Sequence, residues 1–576
     1  MSSFKSNSNP QFRSKFSEDI FKLKYAHSGC NTWSELADTL VKDVCGSLRH
    51  GEENIMTVGE QEELAQYITD LKFVPGGRYL YYAGRKKRYY NNCFLLCAEE
   101  DTREDWANLS WKSESCLMTG GGIGVDYSTY RESGRVLGGS GGLASGPIPK
   151  MQMINSIGQK VMQGGSRRSA IYASLNWKHK DISSFLHAKD WETMPVGDTG
   201  FNLKQIKEQD FNFPAPLDMT NISVNYDTEW LLNYWNGDGV GDIFKQNVAQ
   251  AMRTGEPGFS FNFMENEHET LRNACTEVTA NNSSAPDGGD DSDVCNLGSI
   301  NFGRIDSIYE LADIVTLATK FLICGTLRAE LPYQKVNEVR EKNRRLGLGI
   351  MGLHEWLIKR GEKYHVTPDL HRWLSVYKGV SDTVSKQFAD ELSISRPIAN
   401  RAIAPTGSIS ILSGSSSGIE PIFAVAYKRR YLTGGTRWKY QYVIDSAAQE
   451  LINLYGVDPK SIESALDLAE DYTRRISFQA DVQDYVDMSI SSTINLPAWG
   501  TKLNNPDVID QFVETLASYA HRLRGFTVYP DGSRGGQPLT SVPYSEVVDK
   551  VGEEFEEYVE THDICEISGT GGLCNV

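Results

Sequence analysis

Asn273-Ala-Cys275-Thr-Glu277 places an amide, a thiol and a carboxylate at alternate positions. In an extended segment successive side chains point to opposite faces, so these three would share one side while Ala274 and Thr276 take the other. Taken alone, the segment reads as a turn with an incidental cysteine, because short polar motifs match by chance. Two further elements change that reading: Val294-Cys295-Asn-Leu-Gly-Ser-Ile-Asn301, about 20 residues on, and Asn91-Asn92-Cys93-Phe-Leu-Leu96, far upstream. Thiols suit paired redox work because each offers a transferable hydrogen and two together form a reversible two-electron bond. Cys565 and Cys574 lie in a glycine-rich terminus of about 20 residues, long enough to span several tens of Å.

The other cysteines call for less. Cys30, Cys45, Cys116 and Cys324 read as small buried hydrophobes. Cys93 and Cys97 would share one face of a strand, but no histidine and no second pair at finger spacing accompany them, so no metal site is expected. Ten cysteines in 576 residues are too sparse for a disulfide scaffold and fit a reducing compartment. Ala404-Pro-Thr-Gly-Ser-Ile-Ser-Ile411 combines small side chains, a glycine and three hydroxyls, a composition that can offer amides and hydroxyls to phosphate or simply form a turn. Gly347-Leu-Gly-Ile-Met-Gly352 matches the dinucleotide pattern. It follows Glu341-Lys-Asn-Arg-Arg345, which is no buried strand, so it reads instead as small residues in close helix packing. No Walker-type phosphate loop occurs.

Positioning such groups requires a large fold. Residues 1–72 read as helices, with Trp33, Leu36, Leu40, Val41 and Val44 at helical spacing. From Phe73 to about residue 540, short apolar runs punctuated by glycine alternate with helices, which predicts an α/β sheet or barrel. Asn281 to Asp293 reads as a solvated loop, and residues 541–576 as one acidic helix, Ser545 to Glu560, followed by the cysteine tail. The 58 basic and 75 acidic side chains give a charge of −17, which repels nucleic acid and anionic lipid. The most apolar run, Ile314 to Leu327, is interrupted by Thr316, Thr319, Lys320 and Thr326, so no membrane span is expected; with no apolar leader near the start, the expected location is cytoplasmic.

With the three cysteine elements in view, the chain resembles the catalytic subunit of ribonucleotide reductase from about Phe73 to Leu539. Further matches are Pro75-Gly-Gly-Arg78, Gly120-Gly-Gly-Ile-Gly124, Arg344-Arg-Leu-Gly-Leu-Gly-Ile-Met-Gly352, Ala404 to Leu412 with Gly418-Ile-Glu-Pro421, Ser492-Thr-Ile-Asn-Leu-Pro497 and Gly525-Phe-Thr-Val-Tyr529. The resemblance implies a ten-stranded α/β barrel with a central finger loop, an N-terminal helical cap and a reaction that makes deoxyribonucleotides. It implies that Cys275 becomes a thiyl radical and abstracts the ribose 3′-hydrogen, that Glu277 takes the 3′-hydroxyl proton, and that Asn273 holds the sugar. Cys93 and Cys295 would be the reducing pair, and Cys565 and Cys574 the shuttle that re-reduces it with a thioredoxin-like partner. Asn92, Thr406, Gly407, Ser408 and Ile409 would hold a ribonucleoside di- or triphosphate. Gly164, Gly165, Ser166, Arg167 and Arg168 would form the loop that answers to a deoxynucleotide or ATP effector at a homodimer interface.

Two departures refine the resemblance. No segment matches the family's N-terminal ATP cone. Members that receive a radical from a diiron-type partner subunit place two adjacent tyrosines where this chain reads Val528-Tyr529-Pro530, and proline cannot relay a hydrogen atom. The sequence around Tyr529 and Ala404-Pro-Thr-Gly407 looks instead like the adenosylcobalamin-dependent class, with the partner-subunit radical source as the alternative. A thiol–disulfide oxidoreductase unrelated to nucleotides would explain the cysteines but leave Asn273, Glu277 and the phosphate-like loop idle.

Overall fold

The computed structural model describes residues 12–48, 53–161, 169–210, 213–433, 437–533 and 539–555. Three helices open the chain, Lys15–Lys24, Trp33–Cys45 and Val58–Thr69. The second and third start in capping boxes, Thr32 with Glu35 and Thr57 with Glu60, which satisfy backbone N–H groups the first turn cannot pair. Their apolar stripes bury Trp33, Leu36, Leu40, Val44, Leu64 and Ile68 against the long helix Ile308–Arg328. The Trp33 indole N–H donates to the Ile68 carbonyl at 3.0 Å.

Five strands follow one another in parallel: β2 (Cys93–Leu96), β3 (Gly122–Asp126), β4 (Ile171–Asn176), β5 (Thr220–Tyr226) and β6 (Gly258–Phe261), with β1 (Phe73–Pro75) ahead of them. A second parallel set contains β9 (Asp293–Asn301), β10 (Leu346–Met351), β13 (Thr493–Leu496) and β14 (Gly525–Pro530). The two sets run against each other where β2 meets β9 and β6 meets β14. The ten-stranded sheet closes through residues 401–403: Leu348 bridges Arg401, and Ile403 bridges Ile490, both in parallel. The result is the expected α/β barrel, its strands almost wholly buried as parallel strands covered by helices must be.

A hairpin of β7 (Leu271–Arg272) and β8 (Thr279–Ala280) enters the barrel and packs against β2 and β3. Its approach to β3 is so close that a Cβ at Gly124 would fall 1.6 Å from the Arg272 carbonyl oxygen, so only glycine fits there. The Arg272 side chain, fully buried, anchors the hairpin: its guanidinium donates to Ser260 Oγ at 3.0 Å, Asn262 Oδ1 at 2.9 Å and the Arg524 carbonyl at 2.8 Å.

Three expectations need correction. Residues 346–351 form the buried strand β10, not closely packed helix, because the preceding arginine is neutralised: buried Arg345 pairs with Asp293 at 2.8 Å and Asp290 at 3.3 Å. For the same reason only part of the 281–293 segment is solvated; Asp290, Asp291 and Asp293 are buried, Asp291 on Lys112 at 2.6 Å. The acidic helix expected over 545–560 does not form in its described part, residues 545–555. A single turn, Tyr544–Val547, gives way at Gly552 (φ +84°) to β16 (Glu554–Phe555). That strand completes a four-stranded sheet with β11 (Ala426–Thr433), β12 (Arg437–Ile444) and β15 (Leu539–Ser541), where Phe555 stacks on Tyr440. Among the described residues, no helix is long and apolar enough to cross a membrane, and no group of three or more His, Cys, Asp or Glu is placed to hold a metal ion.

Candidate active site

The tip of the hairpin is a turn and not the extended segment the alternation suggested. Thr276 adopts a left-handed conformation (φ 71°) and its N–H donates to the Asn273 carbonyl at 3.0 Å. The turn separates the three groups by depth: Asn273 and Glu277 are buried, and Cys275 is exposed at the tip. Asn273 works in two directions. Its Oδ1 accepts the Val278 N–H at 2.9 Å, which fixes the turn, and its Nδ2 donates to Cys93 Sγ at 2.9 Å, which ties the turn to β2.

Cys93 and Cys295 stand directly opposite each other in the antiparallel β2–β9 pair. Opposed residues in such a pair have Cα atoms about 4.5–5.5 Å apart, inside the range a disulfide spans, so the two sulfurs can join with little backbone movement. Both are thiols here. Burial pushes the Cys93 thiol up, and the nearby charges of Glu277, Cys275 and Cys295 push in the same direction. Burial also raises Cys295, with the Arg345 guanidinium opposing. A Cβ at Gly347 would fall 2.8 Å from Cys295 Sγ, so glycine on β10 leaves room for that sulfur. Thiols held protonated in this way are hydrogen donors, not nucleophiles.

Burial raises the Glu277 carboxyl to about 7, against opposing hydrogen bonds from the Asn273 side chain and its own backbone. Its Oε2 has no partner among the described residues. A carboxyl poised near neutrality with one open oxygen suits a general base.

Cys275 lines a cleft of about 250 Å³ whose walls carry Asn221, Ser223, Ser491, Thr493, Thr527 and Tyr529. Pro405 at the cleft's edge leads into the phosphate-like loop. There Thr406 is left-handed (φ 55°), accepts the Gly418 N–H on Oγ1 at 2.9 Å and starts the helix Gly407–Ser413; Gly407 is exposed, Ser408 half-buried and Ile409 buried. The sequence reading missed a cation here. Lys24, from the first helix, donates to Ser408 Oγ at 3.1 Å, a contact across 384 residues that no local pattern could reveal. Asn92 is half-buried beside Cys93, and its Oδ1 has no partner among the described residues. The structure thus brings Cys93, Asn273, Cys275, Glu277 and Cys295 to one end of the barrel. Gly164, Gly165, Ser166, Arg167 and Arg168 lie outside the described residues, as do Cys565 and Cys574.

The barrel-domain profile of the ribonucleotide reductases matches residues 91–205, 239–370 and 398–529. A vitamin B12-dependent ribonucleoside-diphosphate reductase of Thermoplasma acidophilum is 27% identical over 519 residues, 83% of this chain and 66% of the relative. One of the same description from Mycobacterium tuberculosis is 27% identical over 542 residues, 86% of this chain and 75% of the relative. In fold, the chain is similar to the class Id ribonucleotide reductase alpha subunit of Actinobacillus ureae, with a TM-score of 0.68 at 15% identity, covering 90% of this chain and 97% of that one.

Proposed function

Because the chain belongs to the ribonucleotide reductase family and is an enzyme of that class, we propose that it converts ribonucleotides to 2′-deoxyribonucleotides by a thiyl-radical reaction centred on Cys275. The observation that carries this reading is the register of Cys93 against Cys295 directly beneath the Asn273–Glu277 turn. Its chemistry balances within the chain. The Cys275 sulfur takes the ribose 3′-hydrogen while Glu277 takes the 3′-hydroxyl proton. One thiol of the Cys93–Cys295 pair then protonates the 2′-hydroxyl, which leaves as water. The pair gives up two electrons and the second hydrogen and becomes a disulfide, Glu277 returns its proton to the 3′-oxygen, and Cys275 returns its hydrogen to the 3′-carbon. The barrel interior keeps water and stray hydrogen donors from the radical.

The substrate is a ribonucleoside di- or triphosphate. Thr406, Gly407, Ser408 and Ile409 offer its phosphates amides and hydroxyls, Lys24 supplies the local positive charge in a chain of charge −17, and Asn92 faces the substrate beside Cys93. The radical source we assign is adenosylcobalamin, in keeping with the relatives described as vitamin B12-dependent. The cleft fits its nucleoside part: hydroxyls and amides of Asn221, Ser223, Ser491, Thr493 and Thr527 line the walls, and Cys275 opens into it. When bound, this cofactor supplies the radical that Cys275 requires. Tyr529 lines the same cleft, and Pro530 beside it leaves no adjacent-tyrosine relay. Cys565 and Cys574 re-reduce Cys93–Cys295 and are themselves reduced by a thioredoxin-like protein. Helices Arg103–Met118 and Pro147–Lys160 expose Trp111, Met118 and Met153, and we place the homodimer contact there, with the effector loop at 164–168 just after the second helix.

The test is direct. Protein, adenosylcobalamin, dithiothreitol, a ribonucleotide and an effector are incubated, and deoxyribonucleotide is measured. Turnover without a second protein is expected, and Cys275→Ser abolishes it while nucleotide binding persists. Turnover that requires a metal-containing partner would transfer the radical source to that partner, and full activity in Cys275→Ser would overturn the mechanism.

A further inference from the structure

The cysteines occupy the end of the barrel where β2 to β6 begin. The other end, where those strands finish, holds the larger cavity, about 540 Å³. Asp126 ends β3, Asn176 ends β4, Asn225 is next to last in β5, and Asn262 follows β6 directly. Four adjacent parallel strands therefore present a row of Asp and Asn at their carboxyl ends, the place where parallel α/β sheets gather ligands.

One of these groups is unfinished. Asn225 is 1% exposed, and its Nδ2 donates to Asp126 Oδ1 at 3.2 Å and Ser174 Oγ at 3.0 Å. The carboxylate fixes which way the amide faces, since an oxygen there would meet another acceptor. Asn225 stands in the cavity wall, and its buried Oδ1 has no partner among the described residues. It calls for a hydrogen-bond donor. Charge narrows the choice further. The lining carries the carboxylates of Asp126, Asp227, Glu229 and Glu267 against the single ammonium of Lys178, which is taken up by Asp227 at 3.0 Å and Glu229 at 2.8 Å. Two histidines aside, the remaining polar groups are amides and hydroxyls. Such a surface repels phosphate and attracts ammonium groups.

We propose that this opposite mouth is a second binding site, for a small organic diammonium ion, with one ammonium on Asn225 Oδ1 above Asp126 and the other toward Glu267. The occupant would touch the root of the finger. Asn282 Nδ2 donates to Thr270 Oγ1 at 2.8 Å, Thr270 donates in turn to Asp126, and these two residues flank the hairpin that carries Cys275.

Calorimetric titration of the full chain at low ionic strength tests this with 1,4-diaminobutane, the neutral isostere 1,4-butanediol and inorganic phosphate. The diamine is expected to bind at one per chain, the diol at least about tenfold more weakly, and phosphate not at all. Glu267→Gln, at the rim, and Asn225→Ala, in the buried row, should each weaken the diamine about tenfold. Equal binding of diol and diamine would overturn the cationic assignment. Absence of saturable diamine binding, or diffuse multi-site binding unchanged in both variants, as mere attraction to a chain of charge −17 would give, would overturn the site itself.

Discussion

The N-terminal cap and the barrel interior are built on opposite terms. The cap buries Trp33, Leu36, Leu40, Val44 and Leu64, with the Trp33 indole donating to the Ile68 carbonyl and Gln61 to the Met56 carbonyl inside it. The barrel interior buries Arg272, Asn273, Glu277, Asp293 and Arg345; four are bonded to other parts of the chain, and Glu277 keeps one oxygen without a partner among the described residues. Apolar packing is non-directional and stabilises in proportion to area, whereas buried polar groups cost free energy unless each finds its partner. The cap therefore supplies stability, and the interior spends part of it to hold reacting groups in place.

The sharpest way to break that contrast is Glu277→Gln. It keeps the shape and removes the base, so kcat is expected to fall by about 10²–10⁴-fold. For the unaltered chain the activity should rise with pH through a limb near 7, because the carboxyl must lose its proton to act and burial holds it at about 7. That limb should be missing from whatever activity the variant retains. Stability should move the other way. A carboxyl raised on folding binds its proton more tightly in the native state, so it weakens the fold progressively as pH rises from the ordinary carboxylate range to about 7 and by a constant amount above. Glu277→Gln should thus be no less stable than the parent at pH 8, as urea unfolding would show. A large loss of stability there would mean that Glu277 is structural.

Trp33→Ala inverts the experiment. Emptying a fully buried indole position should cost about 3–5 kcal/mol of stability, while kcat per folded molecule stays as it was. Denaturant unfolding and activity corrected for the folded fraction read the two separately. A fall in corrected kcat comparable to that of Glu277→Gln would show that the cap shapes the site as well as supporting it.

The same contrast explains what the sequence made legible. The cap helices were plain because a 3.6-residue apolar period is a local signal. The finger residues were found by motif, but their geometry was not. Nothing local shows that Thr276 turns left-handed, which buries Asn273 and Glu277 and exposes Cys275. The 281–293 segment looked solvated because its aspartates are polar, yet Asp290 and Asp293 are matched by Arg345, 55 and 52 residues away. That pairing is also why β10 was hidden: an arginine before an apolar run argues against a buried strand until its carboxylates are known. Lys24 at Ser408 is the same lesson at the scale of the whole chain.

The smallest effect tests whether the cap is as self-contained as its pattern suggests. Thr32 begins the Trp33–Cys45 helix. Its side chain accepts the Glu35 N–H at 3.2 Å, and the Glu35 carboxylate returns to the Thr32 N–H at 3.0 Å. Thr32→Ala removes half of this box and should cost about 1 kcal/mol. Hydrogen exchange should quicken in residues 33–45 and leave the amides of β2 and β9 unchanged, because the box is exposed and touches no barrel strand. Faster exchange around Cys93 and Cys295 would reveal that helix and barrel open together. The two regions would then be one cooperative unit, despite being built from different kinds of contact.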